Sequence, residues 1–325
     1  MAGPRPSAPS GRTWPSGATV AGSPTGAGTT TPGPRADHEI PAYLERLGLP
    51  GLADIHVHFL PPRMLEKVWE YFDDAEARYG WPWPIEYRLG EEERLRLARS
   101  FGLAAIPALS YPHKPGMAEW LNDWSADLAR RVPDVVHCAT MYPEPDAGDY
   151  VGRALAGGAR LFKVHLQVGR FAADDPLLEP GWALLEDAGV PVVVHAGSKP
   201  LAGEHTGPEG IRRLLTAHPD LTLVIAHLGM PEYWEFAELA GRFPRVHLDT
   251  TMVGTDFTER FAPLPDGFPA RLAELSDRVV LGSDFPNIPY PYAHQIEALA
   301  RLGLGDGWMR QVLWENGARL LGLGR

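Results

Sequence analysis

Eight short apolar runs recur along the chain from about residue 38 onward, at 52–58 (LADIHVH), 103–109 (LAAIPAL), 135–141 (VVHCATM), 160–166 (RLFKVHL), 191–195 (PVVVH), 222–227 (TLVIAH), 245–250 (RVHLDT) and 278–284 (RVVLGSD). Near-continuous Val, Ile and Leu over such lengths suits strands covered on both faces, as in a parallel sheet. Between the runs, apolar residues fall at i, i+3 and i+4 over 120–132, 150–159, 181–189, 210–219 and 232–243, and again over a closing pair at 294–303 and 308–323. That spacing lines one face of an α-helix, and several of these segments stop at Gly or Pro, as helix ends do. Strands alternating with helices predict a (β/α)8 TIM barrel. The competing architecture, an open doubly wound sheet, carries a Gly-rich phosphate loop after its first strand. Here that position reads Phe59-Leu60-Pro61-Pro62. The long gap between the first two runs contains WPWPIEYRLGEEE (81–93). Its aromatic, Pro-rich part is expected to wall or cover the barrel mouth, and its acidic end to open a solvated helix.

Residues 1–37 have no such pattern. Ala, Gly, Pro, Ser and Thr dominate them, and their only large apolar residues are Met1, Trp14 and Val20. A segment of that kind buries too little surface to offset its ordering entropy. It is read as a disordered leader, with the barrel spanning 38–325. No apolar h-region marks it as a secretory signal.

Composition narrows the partners. A formal net charge of −11 argues against nucleic acid or an anionic membrane, and no apolar stretch approaches the roughly 18 residues of a bilayer span. The one cysteine, Cys138, excludes an intrachain disulfide and a Cys-based zinc site. A small-molecule substrate and a cytoplasmic setting are the expectations that remain.

Candidate chemistry gathers where the runs end. His56 and His58 close the first, Lys163 and His165 the fourth, His195 the fifth, His227 the sixth, Asp249 the seventh and Asp284 the eighth. In a barrel these ends form the catalytic face. Strand side chains alternate, so His56 and His58 are expected on one face, able to converge on one ion. Zinc is held by imidazole nitrogens and carboxylate oxygens with a position left for water, and His195 and Asp284 offer the remaining ligand types. Asp249 is expected either to hold a ligand histidine or to cap the loop that follows. His113, in a Pro-flanked loop, is read as surface, Glu204 and His205 are placed in the loop after the fifth run, towards the opening, and His137, His218, His247 and His294 are read as structural or solvated.

DIHVHFLP, FKVHLQ, VVVHAG, VIAHLGM, GSDFP and the closing WENGARLLGL, in this order, resemble the amidohydrolase superfamily, specifically its amidohydrolase-2 branch of hydrolases, lactonases and non-oxidative decarboxylases. The resemblance covers most of 50–323. It implies one divalent metal, zinc in the first instance with manganese, cobalt or iron as alternatives, held by His56, His58, His195 and Asp284. It further implies that Asp284 takes a proton from the bound water and that His227 polarises the substrate carbonyl or helps move protons. Lys163, His165 and Arg63 are expected to bind substrate. A carboxylated Lys163 bridging two metals is the alternative known in the wider superfamily. The function expected is hydrolysis of an amide, ester or lactone of a small acidic molecule. Decarboxylation of an aromatic or dienoic acid, with Arg63 or Lys163 as the cation for its carboxylate, is the second reading. A metal-binding barrel without turnover is the third. A homodimer is plausible for such a family.

Overall fold

The apolar runs pair side by side in chain order, always in parallel. In the computed structural model, which describes residues 29–324, β1 (Ile106–Pro107) pairs with β2 (Val135–Val136). A six-stranded sheet continues through β3 (Cys138–Thr140), β4 (Leu161–His165), β5 (Val192–His195), β6 (Leu223–Ile225), β7 (Val246–Asp249) and β8 (Val279–Val280). The third run supplies both β2 and β3, interrupted at His137. The first run closes the ring, with bridges from Leu52 to Leu103 and His58 to Leu109 on one side and from Val57 to Phe285 on the other. The chain is a (β/α)8 barrel.

The first run departs from the regular strand expected of it. It bends at Ile55 and joins its neighbours through isolated bridges and single backbone hydrogen bonds instead of a continuous ladder. The cause is local. The Asp54 side chain accepts the His56 N–H at 3.0 Å, taking a donor that a ladder would have used. His56 and His58 still end close together, with ring centroids 5.1 Å apart.

Alternation along the strands builds the interior. Ile55, Leu161, Val193, Val224 and Val280 pack with Leu321 as an inner apolar plug. Two residues further along, the inward positions turn ionisable: Lys163 and His165 follow Leu161, and His195 follows Val193. The intervening residues, Phe162, Val164, Val192, Val194, Leu223 and Ile225 among them, pack outward with the helices. Those helices lie where the periodicity predicts them, at Ala118–Arg131, Ala147–Ala156, Glu179–Ala188, Pro208–Ala217, Tyr233–Arg242 and Tyr292–Arg301. The last predicted helix is divided by a π-helical turn at Gln311–Glu315 into Gly305–Arg310 and Asn316–Leu321. Among the described residues no helix is long and apolar enough to cross a membrane.

Two segments outside the repeat bear on the site. The stretch between the first two runs forms helices Pro62–Asp73, Ala75–Tyr79 and Glu91–Ser100, the last opening on the three glutamates. Its aromatic connection does wall the mouth. Trp81 stacks on Phe261 at 4.5 Å, and Trp83 meets Phe257 at 4.8 Å and donates to the Asn287 carbonyl. The other segment lies at the N-terminus. The leader reading of 1–28 falls outside the described residues. Residues 29–37, grouped with that leader by their composition, are instead docked against helices Tyr292–Arg301 and Gly305–Arg310, because Asp37 accepts from Ala293 in the first and Thr31 donates to Asp306 in the second.

Candidate active site

The bent first run, β7 and the turn after β8 bring four side chains to one point. His56 donates from Nδ1 to Asp249 Oδ2 at 2.8 Å, with Thr251 Oγ1 3.0 Å from the same nitrogen. That proton assignment leaves His56 Nε2 as an acceptor, and the Lys163 ammonium reaches it at 2.8 Å. His58 donates from Nδ1 to the Leu109 carbonyl at 3.1 Å, and its Nε2 lies 2.9 Å from Asp284 Oδ1. His56, His58 and Asp284 each offer a donor atom within 4.8 Å of the others, the ligand-rich cluster of the described residues.

Backbone shape delivers Asp284 and His227. Asp284 has φ +70° and His227 φ +57°, left-handed conformations that non-glycine residues adopt at a cost and chiefly where surrounding structure enforces them. Asp284 is held by its N–H, which donates to the His56 carbonyl at 2.9 Å. His227 is held by its N–H, which donates to Asp249 Oδ1 at 2.8 Å. Asp249 thus ties a candidate ligand, His56, to the strand-six histidine. Gly282 explains how it comes so close: a Cβ there would stand 2.3 Å from Thr251 Oγ1 and 3.0 Å from Asp249 Cγ.

Burial sets the charge states. It pulls His56 down to about 3, helped by the adjacent Lys163 ammonium. His165 and His195 are likewise driven well below the ordinary imidazole value by burial and by one another or by His227, and burial lowers His227. These imidazoles are therefore neutral, the form that binds a metal. Burial also lowers Lys163, to about 8. For Asp249 and Asp284 burial acts upward, yet the surrounding imidazoles outweigh it and hold both carboxyls below their usual range.

His58 tests whether a cation fits. Its Nδ1 faces a carbonyl and its Nε2 faces a carboxylate, two acceptors that call for positive charge at this imidazole, either a second ring proton or a bound cation. A cation shared between Nε2 and Asp284 reconciles the two contacts, and His56 Nε2 already accepts from a positive group. The donor set of two imidazoles and one carboxylate fits a divalent metal.

The other expected residues fall elsewhere. His195 stacks on His165 at 4.0 Å and lies 4.8 Å from His227, but its Nε2 is taken by the Lys199 carbonyl at 3.1 Å, so it does not join the three-donor cluster. Lys163, expected to reach substrate, is 1% exposed and faces His56 instead. Inward alternation from Leu161 puts it below the mouth. His165 lies next to Tyr111, ring centroids 4.7 Å apart. Arg63 is exposed in the first turn of helix Pro62–Asp73 and makes no ion pair among the described residues. His113 is exposed too, while His218 sits between Glu186 and Glu179.

Two participants, Tyr111 and Thr251, escape a reading by residue type. Tyr111 edges both His58 and His165. Thr251 supports His56, and two-residue spacing from Asp249 was the signal for it. His227 Nδ1 is buried and has no hydrogen-bond partner among the described residues, the kind of orphan a ligand or water resolves.

Comparisons with known proteins bear on the family and the fold. The profile of Amidohydro_2, described as Amidohydrolase, matches residues 53–323. No curated protein matches the chain. Among solved structures, an uncharacterized TIM-barrel protein from Bordetella bronchiseptica is 24% identical with TM-score 0.66, over 83% of this chain and 98% of its own. The 5-carboxyvanillate decarboxylase of Novosphingobium aromaticivorans, complexed with manganese and 4-hydroxy-3-methoxy-5-nitrobenzoic acid, is 15% identical with TM-score 0.56, over 83% and 96%. A probable 2-pyrone-4,6-dicarboxylic acid hydrolase from Acinetobacter baumannii, with citric acid bound, is 14% identical with TM-score 0.54, over 83% and 98%.

Proposed function

The chain belongs to the amidohydrolase family, and from that membership and the geometry above we propose that it is a metal-dependent hydrolase acting on the carbonyl of a small organic acid. The observation that carries this reading is the His58 contact pair, Leu109 carbonyl on one nitrogen and Asp284 on the other. His56, His58 and Asp284 would hold the ion, and His195 would complete the set by releasing the Lys199 carbonyl. Zinc suits these donors, as do manganese, cobalt and iron. A divalent ion bound there supplies Lewis acidity toward a substrate oxygen and makes a nearby water a stronger acid.

The protein's own groups divide the remaining work. Asp284 is ionised and, at 17% side-chain exposure, the cluster's most accessible member. It accepts a proton from the attacking water and returns it to the leaving group. His227, neutral and held by Asp249, donates a hydrogen bond to the oxygen that gains negative charge. Stacked His165 and His195, with Tyr111, form a flat wall for a planar acid. The neighbours named for a pyrone dicarboxylic acid and for carboxyvanillate are in keeping with such a substrate.

Hydrolysis is preferred to decarboxylation because neither cation meant for a substrate carboxylate is buried beside the cluster with its charge unengaged. Arg63 is exposed, and Lys163 is engaged with His56. The test is a panel of lactones, esters, amides and aromatic acids offered to the protein loaded with zinc, manganese or cobalt. Acid release from a lactone or ester is the expected result. Carbon dioxide release from an aromatic acid, without hydrolysis, would move the reading to decarboxylase. Stoichiometric metal with no turnover on any of them would favour the binding barrel.

A centre in which Lys163 is carboxylated and bridges two metals is the alternative form, since Lys163 Nζ lies 2.8 Å from His56 Nε2. Native mass spectrometry with and without bicarbonate decides it: a gain of one carbon dioxide together with a second metal supports two ions, and one metal per chain supports the single-ion form.

A further inference from the structure

A second set of hydrogen bonds leaves His56 on the side away from Asp249 and ends in the N-terminal segment. The His56 N–H donates to Asp54 Oδ1 at 3.0 Å. Asp54 is fully buried, and its other oxygen accepts from the hydroxyls of Ser283 at 2.5 Å and Tyr292 at 2.7 Å. These donors, none of them charged, decide how the carboxylate is turned. Tyr292 is the first residue of helix Tyr292–Arg301. Its N–H donates to the Tyr87 hydroxyl at 2.6 Å, and Tyr87 donates in turn to Asp37 Oδ2 at 2.5 Å. Asp37 Oδ1 accepts the next N–H of the helix, that of Ala293, at 2.8 Å.

Asp37 therefore holds the first turn of that helix through both carboxylate oxygens. Its negative charge also suits the positive end of the helix dipole. Residues 29–37 fix it in place by running along the helix. The Gly33 backbone passes so near that a Cβ would stand 2.6 Å from Glu297 Cα. Thr31 donates from its N–H and its hydroxyl to Asp306 at 2.6 and 2.9 Å, and the Asp306 N–H returns to the Thr29 carbonyl.

We propose that Asp37 is a positioning residue for the metal centre, acting through Tyr292 and Asp54 on the backbone of His56. It stands outside residues 53–323, the part matched to the family, so this control belongs to the N-terminal segment of this chain. The physical basis is tolerance. A working site needs its groups within about 0.5 Å of the productive arrangement, held there by supporting hydrogen bonds. Loss of such a partner typically weakens metal binding about 10- to 100-fold. The inference rests on the metal-dependent reading above.

Full-length wild type, Asp37→Asn, Asp37→Ala and Tyr292→Phe, each titrated with Co2+ against a competing chelator, test it, with the visible Co2+ absorption band and thermal melting recorded in parallel. Tyr292→Phe is expected to fold, since its ring keeps the stack on Phe101 at 4.8 Å, and to bind Co2+ about 10-fold more weakly with a shifted band. Asp37→Ala should do the same, and Asp37→Asn, which keeps one acceptor oxygen, should recover part of the affinity. Lower melting temperatures with wild-type affinity and an unmoved band would make Asp37 a mere anchor and overturn the proposal. A wild type that binds no Co2+ would instead defeat the metal reading itself, and this inference with it.

Discussion

His56 and Asp249 are 193 positions apart in the chain and 2.8 Å apart in the fold, Nδ1 to Oδ2, with neither side chain open to solvent. The pair fixes which His56 nitrogen carries the proton, and so which one is free to ligate. Asp249 also accepts from the His227 and Thr251 backbones. Asp249→Asn is expected to lower metal affinity about 10- to 100-fold, and Asp249→Ala to lower melting temperature as well, since it leaves three buried donors short of an acceptor. Chelator competition and thermal melting read these effects. Wild-type affinity in Asp249→Asn would contradict the role.

His227 separates binding from chemistry. Its ring lies 5.3 Å from that of His56, yet its own nitrogens are outside the cluster of candidate ligands. His227→Ala should therefore keep its metal while turnover falls about 10²- to 10⁴-fold, the usual worth of a positioned proton donor. Elemental analysis beside steady-state kinetics is the check, and loss of metal in this variant would refute the assignment.

Gly282 is a packing test of the same site. With Thr251 Oγ1 2.3 Å from where a Cβ would go, Gly282→Ala has to push Thr251 and Asp249 away from His56. About 1–3 kcal/mol of stability should be lost to overpacking, and metal affinity should fall with it. A variant that loses stability but binds metal as wild type does would show that the His56–Asp249 contact tolerates displacement.

The clasp at His218 carries a pH signature away from the site. Burial draws its pKa down, but hydrogen bonds and charge from Glu186, at 2.9 Å, and Glu179, at 3.1 Å, outweigh that and raise it. A histidine with a raised folded-state pKa contributes stability that is complete below its unfolded value of about 6.5 and disappears as pH climbs through the folded value. His218→Gln should thus lower the melting temperature more at about pH 6 than at about pH 9. An equal loss at both would mean that the carboxylates do not act on a charged imidazole.

Much of this protein is legible along the chain, for reasons of periodicity. Inward and outward alternation is a local property, so eight apolar runs and their polar ends identify the barrel and its chemical face, and His56, His58, His227 and Asp284 can be named from sequence position alone. What the order of residues does not contain is distance across the ring. Only the closed barrel puts Lys163 against His56 instead of at the rim, turns His195 onto the Lys199 carbonyl, and leaves Arg63 exposed on a helix. Composition likewise misassigns residues 29–37. A stretch poor in apolar side chains has nothing of its own to bury, and what holds it is a set of hydrogen bonds to Tyr87, Ala293 and Asp306, partners that folding alone brings within reach.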